Sequence, residues 1–216
     1  MMNGYKLFLL KDLLRRFGDE RVNSLISNFS CPKNPDIEKF LREKAIIFEK
    51  QLWSSTYLIF TDDDEETKLL AYFTLLLKSI VIDGPSGGSK TPASGVGALS
   101  RGSIKLLYNY GTHDKTTNRY TISLPLIAQL SKNFSNGYDN LITGDDILNI
   151  ACGKAWELQR QLSGQFVFIE CEDNQKLKDF YTSNSFVEVR RRYIKPEESD
   201  KYLIQMIRFL KDFNKH

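Results

Sequence analysis

The sequence has no long hydrophobic run and few of the residues that bind metals or form disulfides. No stretch of eighteen or more apolar residues occurs, so a transmembrane helix is not predicted. Only three cysteines and two histidines are present, and their spacing matches neither a zinc site nor a disulfide framework. We therefore expect Cys31, Cys152 and Cys171 to be reduced, partly buried thiols, and we expect no metal cofactor.

The start of the chain also lacks the basic segment, apolar segment and small-residue cleavage site of a signal peptide. A soluble, cytoplasmic protein with no membrane partner is therefore the expected class. The formal net charge is +3 with a pI near 8.6. Such a mild excess of positive charge does not by itself indicate a nucleic-acid-binding protein.

The length and composition predict one globular domain with an elaborated arm. The chain has 216 residues, of which 41% are hydrophobic and 26% are charged, and this is enough to bury a core. We place the domain at 34–216, preceded by an N-terminal extension at 1–33 that packs on it. Glycine, serine and proline dominate 83–101, so a flexible insertion is expected at about 83–119.

Hydrophobic periodicity and turn residues predict a mixed α/β order along the chain. Short helices are expected within 1–30, with the element type left open between Tyr5 and Leu10. The later elements are a helix at 34–51, a hairpin at 55–61 and 69–82, a strand at 120–129, a helix from a Thr143 cap to Gly164, a strand at 165–171, a helix at 174–183 and a hairpin at 187–194 and 202–211. Pro125 donates no ladder hydrogen bond, so it predicts a splay in the sheet.

One stretch near the C-terminus carries a specific family pattern. Residues 174–186 are similar to an "N…FYxxxGF" segment and keep Asn174, Phe180, Tyr181 and Phe186 at matching spacing. With this segment, the element order from residue 34 onward resembles the GCN5-related N-acetyltransferase (GNAT) superfamily. Phe40-Leu41…Ala45 and residues 71–75 also look like the "FL…A" and "GYFTL" segments of small bacterial, toxin-like acetyltransferases, so the chain is similar to these in particular.

Two further stretches resemble the family, and one of them departs from its pattern. Residues 124–133 look like the splayed fourth strand, and 143–148 look like the end of the pyrophosphate loop and the helix behind it. In that loop, Asp139 stands where the family has Arg or Gln, and Ile142 stands where it has its first Gly. Ser185 replaces a glycine of the C-terminal segment.

The resemblance implies a fold and a co-substrate. The fold is α/β, with a mixed, mostly antiparallel central sheet splayed at the fourth strand and helices on both faces. The co-substrate is acetyl-CoA, whose pantetheine arm is held by the splayed strand and whose pyrophosphate is held by backbone N–H groups at a helix start. The cofactor-binding residues implied in this chain are Leu130, Ser131, Lys132, Thr143, Gly144, Asp145, Asn174 and Tyr181.

The resemblance also implies catalytic groups for an amine that attacks a thioester. Tyr181 is the candidate acid, because a phenol that reaches the sulfur can protonate the leaving thiolate; the alternative is an aromatic ring that only packs. Glu170 is the candidate base, because a carboxylate buried beside Phe168 and Ile169 would have a raised pKa. The alternatives are a Glu170 that is exposed or paired with a basic neighbour, and a water that relays the proton.

Other chemistry-bearing residues have ordinary structural interpretations. The acidic run at 62–66 is typical of a solvated turn more than of a metal site. His113 lies in a polar segment, and Cys171 has no accompanying His and Asn, so neither is favoured as a catalytic group. Arg190 and Arg192 should share one face of the terminal hairpin, where they could contact phosphates of CoA or RNA or could simply be solvated.

Two hypotheses follow from these observations. The first is an acetyl-CoA-dependent N-acetyltransferase that moves an acetyl group to a primary amine, with aminoacyl-tRNA as one possible acceptor. The alternative is a non-catalytic, acyltransferase-like module that binds RNA or a protein partner. A homodimer is compatible with both hypotheses.

Overall fold

The computed structural model describes residues 4–61, 67–85, 99–162, 164–194 and 202–210. The acidic run at 62–66, most of the Gly- and Ser-rich segment and the turn of the terminal hairpin lie outside the described residues. The chain divides into two units. Unit 1 comprises Met1–Leu76 and Ile127–Ala151, and unit 2 comprises Leu77–Leu126 and Cys152–His216.

The elements follow the predicted order closely. The strands are β1 (Tyr5–Leu9), β2 (Ser55–Thr61), β3 (Leu69–Asp83), β4 (Thr112–Asp114), β5 (Arg119–Lys132), β6 (Phe166–Glu172), β7 (Val187–Tyr193) and β8 (Tyr202–Phe209). The α-helices are α1 (Leu10–Phe17), α2 (Asp19–Ser27), α3 (Pro35–Lys39), α4 (Ala45–Lys50), α5 (Arg101–Asn109), α6 (Gly144–Leu162) and α7 (Gln175–Ser183).

Strand order is simple within each unit. In unit 1 the strands are hydrogen-bonded in the order β1-β2-β3-β5, and in unit 2 the order is β3-β5-β6-β8-β7 with β4 on β5. Strands β3 and β5 contribute residues to both units. The pairings β1–β2, β2–β3, β4–β5, β6–β8 and β7–β8 are antiparallel.

The helix predicted at 34–51 is confirmed with one irregularity. The Asn34 side chain accepts a hydrogen bond from the Ile37 N–H, and Pro35 opens the helix, as the capping signals predict. Between α3 and α4 the helix widens into a π-helical turn at Phe40–Lys44. Wide turns of this kind are set by tertiary packing, and the apolar periodicity did not predict it.

The first thirty residues contain a strand that the sequence did not predict. Residues 5–9 form β1, which pairs with β2 from Tyr5 opposite Thr61 to Leu9 opposite Tyr57. Helices α1 and α2 follow, as expected for 1–30. A five-residue segment is too short for its hydrophobic periodicity to distinguish a strand from a helix. Pairing with β2 is what makes this segment a strand.

Unit 1 has a continuous apolar core beneath its helices. Its buried members are Leu10, Leu13, Val22, Ile26, Phe29, Cys31, Leu41, Ala45, Leu58, Phe60, Leu69 and Tyr72. The Tyr72 hydroxyl donates to the Ile37 carbonyl at 2.6 Å, so this buried phenol has an internal partner. Glu49 is also buried, and its carboxylate accepts from the Thr56 N–H at 2.7 Å.

The insertion predicted at 83–119 contains regular structure where it is described. Ser100 caps α5 by accepting from the Ser103 N–H, and the helix buries Ile104 and Leu107. Strand β4 then pairs with the start of β5. The predicted domain boundaries at residues 33 and 34 stay predictions.

The terminal hairpin is confirmed in unit 2, and it contains a β-bulge. The pairing of β7 with β8 shifts register between Glu188 and Arg190, so Val189 is the extra residue. Strand β8 also pairs with β6, with Glu170 opposite Gln205. Because a one-residue shift moves every later side chain to the opposite face, the bulge decides which arginines lie beside Glu170.

Candidate active site

Helix α7 holds Tyr181 between two aromatic rings. The Tyr181 ring packs edge-on against Phe180, with centroids 5.0 Å apart, and against Phe186, with centroids 5.7 Å apart. The helix ends two residues later, and the Phe186 N–H returns to the Tyr181 carbonyl at 3.0 Å. This local closure brings together the three aromatic residues of the pattern recognised in the sequence.

The Tyr181 hydroxyl is protonated and available. Burial, aided by the charges of Cys171 and Cys152, raises the pKa of Tyr181 well above its ordinary value, so the phenol is neutral at physiological pH. The hydroxyl makes no hydrogen bond to any of the described residues, unlike that of Tyr72. A tyrosine that only packs usually has a satisfied hydroxyl, so this free donor favours a ligand-directed role.

The position of Ser185 explains why the family pattern has a glycine there. Ser185 has a φ of 64°, in the left-handed region that residues with a Cβ rarely adopt. The chain keeps the backbone turn and its hydrogen bonds, with the Ser185 N–H bonded to the Thr182 carbonyl at 3.0 Å. The substitution therefore preserves the geometry that aims Phe186 at Tyr181.

Asn174 has a structural function in addition to its predicted one. Its side-chain oxygen accepts from the Lys176 N–H at 2.9 Å and caps α7. The capping bond alone accounts for an asparagine at this position. Contact of Asn174 with a cofactor stays a prediction.

Glu170 is the centre of a polar network that spans strands of unit 2. Its Oε2 accepts from Lys78 Nζ at 2.7 Å, and its Oε1 accepts from Gln205 Nε2 at 2.7 Å. Arg192 adds an ion pair, with Nε 3.3 Å from Oε1. The Glu170 side chain is only 9% exposed, so a carboxylate here requires such partners.

The expected raised pKa of Glu170 is wrong. Burial does raise it and is the largest single effect, but the hydrogen bonds from Lys78 and Gln205 and the charges of Lys78 and Arg192 together bring the pKa of Glu170 below its ordinary value. The basic neighbours lie far away in sequence, and the apolar residues on either side gave no sign of them. Glu170 thus has the pairing that the sequence left open as an alternative, and its role as base stays a prediction.

In unit 1, the start of α6 is a closed capping box. The Asp146 N–H bonds to Thr143 Oγ1 at 3.1 Å, and Asp146 Oδ2 accepts from the Thr143 N–H at 3.0 Å. The predicted cap is confirmed. The carboxylates of Asp145 and Asp146 place negative charge at the helix N-terminus, where a phosphate would otherwise find only the positive end of the dipole.

A lysine side chain of β5 contacts the turn that precedes this helix start. Lys132 Nζ donates to the Asp139 carbonyl at 2.7 Å and so holds the turn at Ser135–Asn140. The turn itself needs the left-handed residues Asn136 and Gly137, at φ values of 53° and 73°. Sequence reasoning assigned Lys132 a backbone role only, because the long-range turn contact is not visible in a linear pattern.

Asn133 is a further residue that sequence reasoning missed. Its side chain donates to the Leu69 carbonyl at 2.9 Å and accepts from the N–H groups of Ser30 at 3.0 Å and Ser135 at 3.1 Å. The neighbouring Ser131 hydroxyl is buried and lies 3.2 Å from Cys31 Sγ. This end of β5, including Leu130, is therefore held rigidly within unit 1.

The remaining candidates behave as expected from the sequence. All three cysteines are buried and free. Burial raises the pKa of Cys171 to about 11, so its thiol is protonated and a poor nucleophile. His113 is exposed, stacks on Tyr120 and hydrogen-bonds Asn118.

The predicted residues fall into two sets. Leu130, Ser131, Lys132, Thr143, Gly144 and Asp145 belong to unit 1, and Glu170, Asn174 and Tyr181 belong to unit 2. Within the described ranges, no group of three or more His, Cys, Asp or Glu side chains could hold a metal ion. No helix in the described part of the chain is long and apolar enough to cross a membrane.

Comparison with solved structures identifies the fold. A tyrosine-to-phenylalanine mutant of KacT matches with a TM-score of 0.60 and 13% identity, over 99% of this chain and 99% of that chain. AtaTR bound with acetyl-CoA matches with a TM-score of 0.54 and 14% identity, over 99% and 98%. AtaT complexed with acetyl-methionyl-tRNAfMet matches with a TM-score of 0.55 and 15% identity, over 93% of each chain.

These likenesses establish the class of fold. The protein has the GNAT fold, a mixed α/β structure with a mostly antiparallel sheet, and the predicted fold class is confirmed. Its structural neighbours are toxins, in agreement with the toxin-like branch that the sequence resembles. No family model and no curated protein matches the sequence itself.

Proposed function

We propose that this protein is an acetyl-CoA-dependent N-acetyltransferase that moves an acetyl group to a primary amine by direct attack on the thioester. The observation that carries the proposal is the Tyr181 phenol, which is held between Phe180 and Phe186, is protonated, and has a hydroxyl with no partner among the described residues. The GNAT fold supplies the framework for this chemistry.

The proposed reaction assigns Tyr181 one proton transfer. Acetyl-CoA supplies the acetyl thioester. As the new C–N bond forms and the C–S bond breaks, the Tyr181 hydroxyl donates its proton or a hydrogen bond to the departing sulfur. The proton lost by the amine goes to a base, for which Glu170 or a water molecule is the candidate.

The groups proposed to hold acetyl-CoA are mostly backbone groups. In unit 1 they are those of Leu130, Ser131 and Lys132 on β5 and of Thr143, Gly144 and Asp145 at the start of α6. In unit 2 they are Asn174 and Tyr181. The ammonium of Lys132 suits the negatively charged pyrophosphate of acetyl-CoA, because it adds positive charge beside the turn at Ser135–Asn140. The carboxylate of Asp145 does not suit it, because it repels a phosphate at the helix N-terminus.

Aminoacyl-tRNA is the acceptor class that the comparisons support. The neighbour AtaT has been solved with acetyl-methionyl-tRNAfMet, whose acetylated group is the α-amine of an aminoacyl ester. Arg190 and Arg191 of β7 are exposed, and two neighbouring positive charges are compatible with a nucleic acid acceptor. The α-amine of an aminoacyl-tRNA is therefore the first acceptor to assay.

Calorimetric titration of the full chain with acetyl-CoA tests the proposal. We expect saturable binding, and the absence of binding up to millimolar acetyl-CoA would refute it. Transfer is then measured by mass spectrometry of aminoacyl-tRNA and, separately, of small primary amines. Salt-dependent RNA binding with no transfer to any amine would favour the non-catalytic module instead.

A further inference from the structure

Strand register places a row of charged side chains on one face of unit 2. Glu170 of β6 is opposite Gln205 of β8, and Gln205 is opposite Arg190 of β7. Residues in register on neighbouring strands project from the same face of a sheet. The bulge at Val189 produces this alignment, because an unshifted register would bring Val189 itself opposite Gln205.

Three cations share this face with two carboxylates, because Glu172 is in register with Leu203 and Arg192 as Glu170 is with Gln205 and Arg190. Lys78 and Arg192 contact Glu170 directly, at 2.7 Å and 3.3 Å. Arg190 Nη1 reaches the Val81 carbonyl at 2.9 Å. Three positive charges and two negative charges leave a formal charge of +1. The side chains of Lys78 and Arg192 remain 37% and 41% exposed.

The cations retain unused hydrogen-bond donors. The guanidinium of Arg190 has five N–H donors, and one of them is hydrogen-bonded to the Val81 carbonyl. Arg192 Nε is buried and, among the described residues, makes no hydrogen bond despite its closeness to Glu170. A ligand would therefore meet the exposed part of the Arg192 fork, whose Nη2 also donates to Glu170 Oε2 at 3.5 Å, and not the buried Nε.

A cavity of about 310 Å³ opens beside Arg190. Its lining comes from the end of β3 and from the bulged part of β7. The carboxylates in its wall have partners of their own: Asp83 pairs with Arg119 at 3.1 Å, and Glu188 pairs with Arg191 at 3.0 Å. Arg190 therefore keeps its charge at the wall of a space that suffices for a phosphoryl group. Lys78 and Arg192 do not line this cavity and belong to the same face through their contacts with Glu170.

We propose that Lys78, Arg190 and Arg192 form a binding site for a phosphate group, and that Glu170 is the positioning residue that holds Lys78 and Arg192 in place. A phosphate offers several oxygens to two guanidinium forks and an ammonium, which matches these donors better than a single carboxylate does. The same chemistry is available from CoA and from the backbone of an RNA acceptor. Phosphate binding at this site requires no acetyl transfer, but the site shares Glu170 with the reaction proposed above, where Glu170 is a candidate base.

Binding measurements on the full chain test the site without any need for catalysis. The probes are inorganic pyrophosphate, CoA and a single-stranded oligoribonucleotide, each titrated at several salt concentrations. We expect Arg190→Gln and Arg192→Gln to weaken pyrophosphate binding several-fold. For the probe that binds at the site, each arginine variant should reduce the slope of log binding constant against log salt concentration by roughly 0.7 per lost phosphate contact. Arg160→Gln, an exposed arginine of α6, is the matched control and should leave both quantities unchanged.

The Glu170→Gln variant separates positioning from simple charge. It raises the net charge of the face by one, so it would strengthen phosphate binding if Glu170 were only a nearby negative charge. A positioning role predicts weaker binding in spite of the added charge. If the arginine variants weaken binding of CoA alone, the phosphate that uses the site belongs to CoA. If they weaken binding of the oligoribonucleotide alone, the phosphate belongs to an RNA acceptor.

Two results would overturn the proposal. One is unchanged pyrophosphate affinity in both arginine variants, with their folded state verified by circular dichroism. The other is tighter phosphate binding by Glu170→Gln, which would remove the positioning role. Arg190→Lys keeps the charge and loses the fork, so an intermediate affinity is expected for it.

Discussion

Replacing Tyr181 with phenylalanine removes one oxygen atom and should separate catalysis from stability. The hydroxyl makes no hydrogen bond to any described residue, so its removal leaves no internal group unsatisfied. The ring contacts with Phe180 and Phe186 remain. We therefore expect the free energy of unfolding to change by less than about 0.5 kcal/mol, as for a substitution away from packing and hydrogen bonds.

The effect of the same variant on turnover should be large. A positioned general acid contributes roughly 10²- to 10⁴-fold to a rate, which corresponds to about 3 to 5 kcal/mol of transition-state stabilisation. Turnover is measured from the free thiol released from acetyl-CoA with the best amine acceptor, and affinity is measured by calorimetry. We expect turnover to fall by at least about 100-fold while acetyl-CoA affinity changes little.

Tyr72→Phe is the matched control, because it removes a hydroxyl that has a partner. The Tyr72 hydroxyl donates to the Ile37 carbonyl at 2.6 Å in the core of unit 1. The Ile37 carbonyl keeps the Phe40 N–H as a partner, so loss of the buried Tyr72 hydrogen bond should cost about 0.5–1.5 kcal/mol. This should lower the melting temperature by a few degrees, with no specific loss of turnover. Turnover of Tyr181→Phe within threefold of the wild type, or a stability loss equal to that of Tyr72→Phe, would refute the assignment of Tyr181.

Four further variants and one control, Asn140→Ala, test the electrostatics and the backbone. For Glu170, whose folded-state pKa is lowered, the stabilisation relative to Glu170→Gln should be complete above the ordinary carboxyl pKa of 4.5 and should shrink as pH falls below it. For Glu49, whose folded-state pKa is raised chiefly by burial, the opposite holds: Glu49→Gln should gain stability relative to the wild type as pH rises from 4 towards 8, and a pH-independent difference in melting temperature would contradict this. Asn133→Ala removes three hydrogen bonds and should cost about 2–4 kcal/mol in urea unfolding, whereas the exposed Asn140→Ala should be nearly neutral. Ser185→Gly relieves a φ of 64° and should raise stability by up to about 1 kcal/mol, and a destabilised variant would show that the turn is not strained.

Short-range rules predicted most of the elements. Asn34 and Thr143 cap the helices that they were expected to cap, and Gln175–Ser183 forms the helix that the aromatic pattern requires. Caps, turns and periodicity act within a few residues, so a linear sequence contains them. The resemblance at 174–186 also identified the aromatic setting of Tyr181 correctly.

The surroundings of Glu170 show why the site could be predicted only in part. Phe168 and Ile169 beside it led to the expectation of an isolated, raised-pKa carboxylate. The structure brings Lys78 from 92 residues away and Gln205 from 35 residues away, and the pKa moves in the opposite direction. A pKa depends on every charge and dipole within a few ångströms, and these come from strands that the sequence does not order.

The sequence by itself thus determined the local elements, the reduced state of the cysteines and the aromatic frame of Tyr181, because all of these depend on residue type and near neighbours. Only the tertiary structure decided that the Tyr181 hydroxyl has no hydrogen-bond partner among the described residues and that Lys132 holds the turn beside Asp139. It also decided that a one-residue bulge places Arg190 and Arg192 on the face that carries Glu170. Strand pairing and register create these features, and register is selected by the packing of the whole sheet.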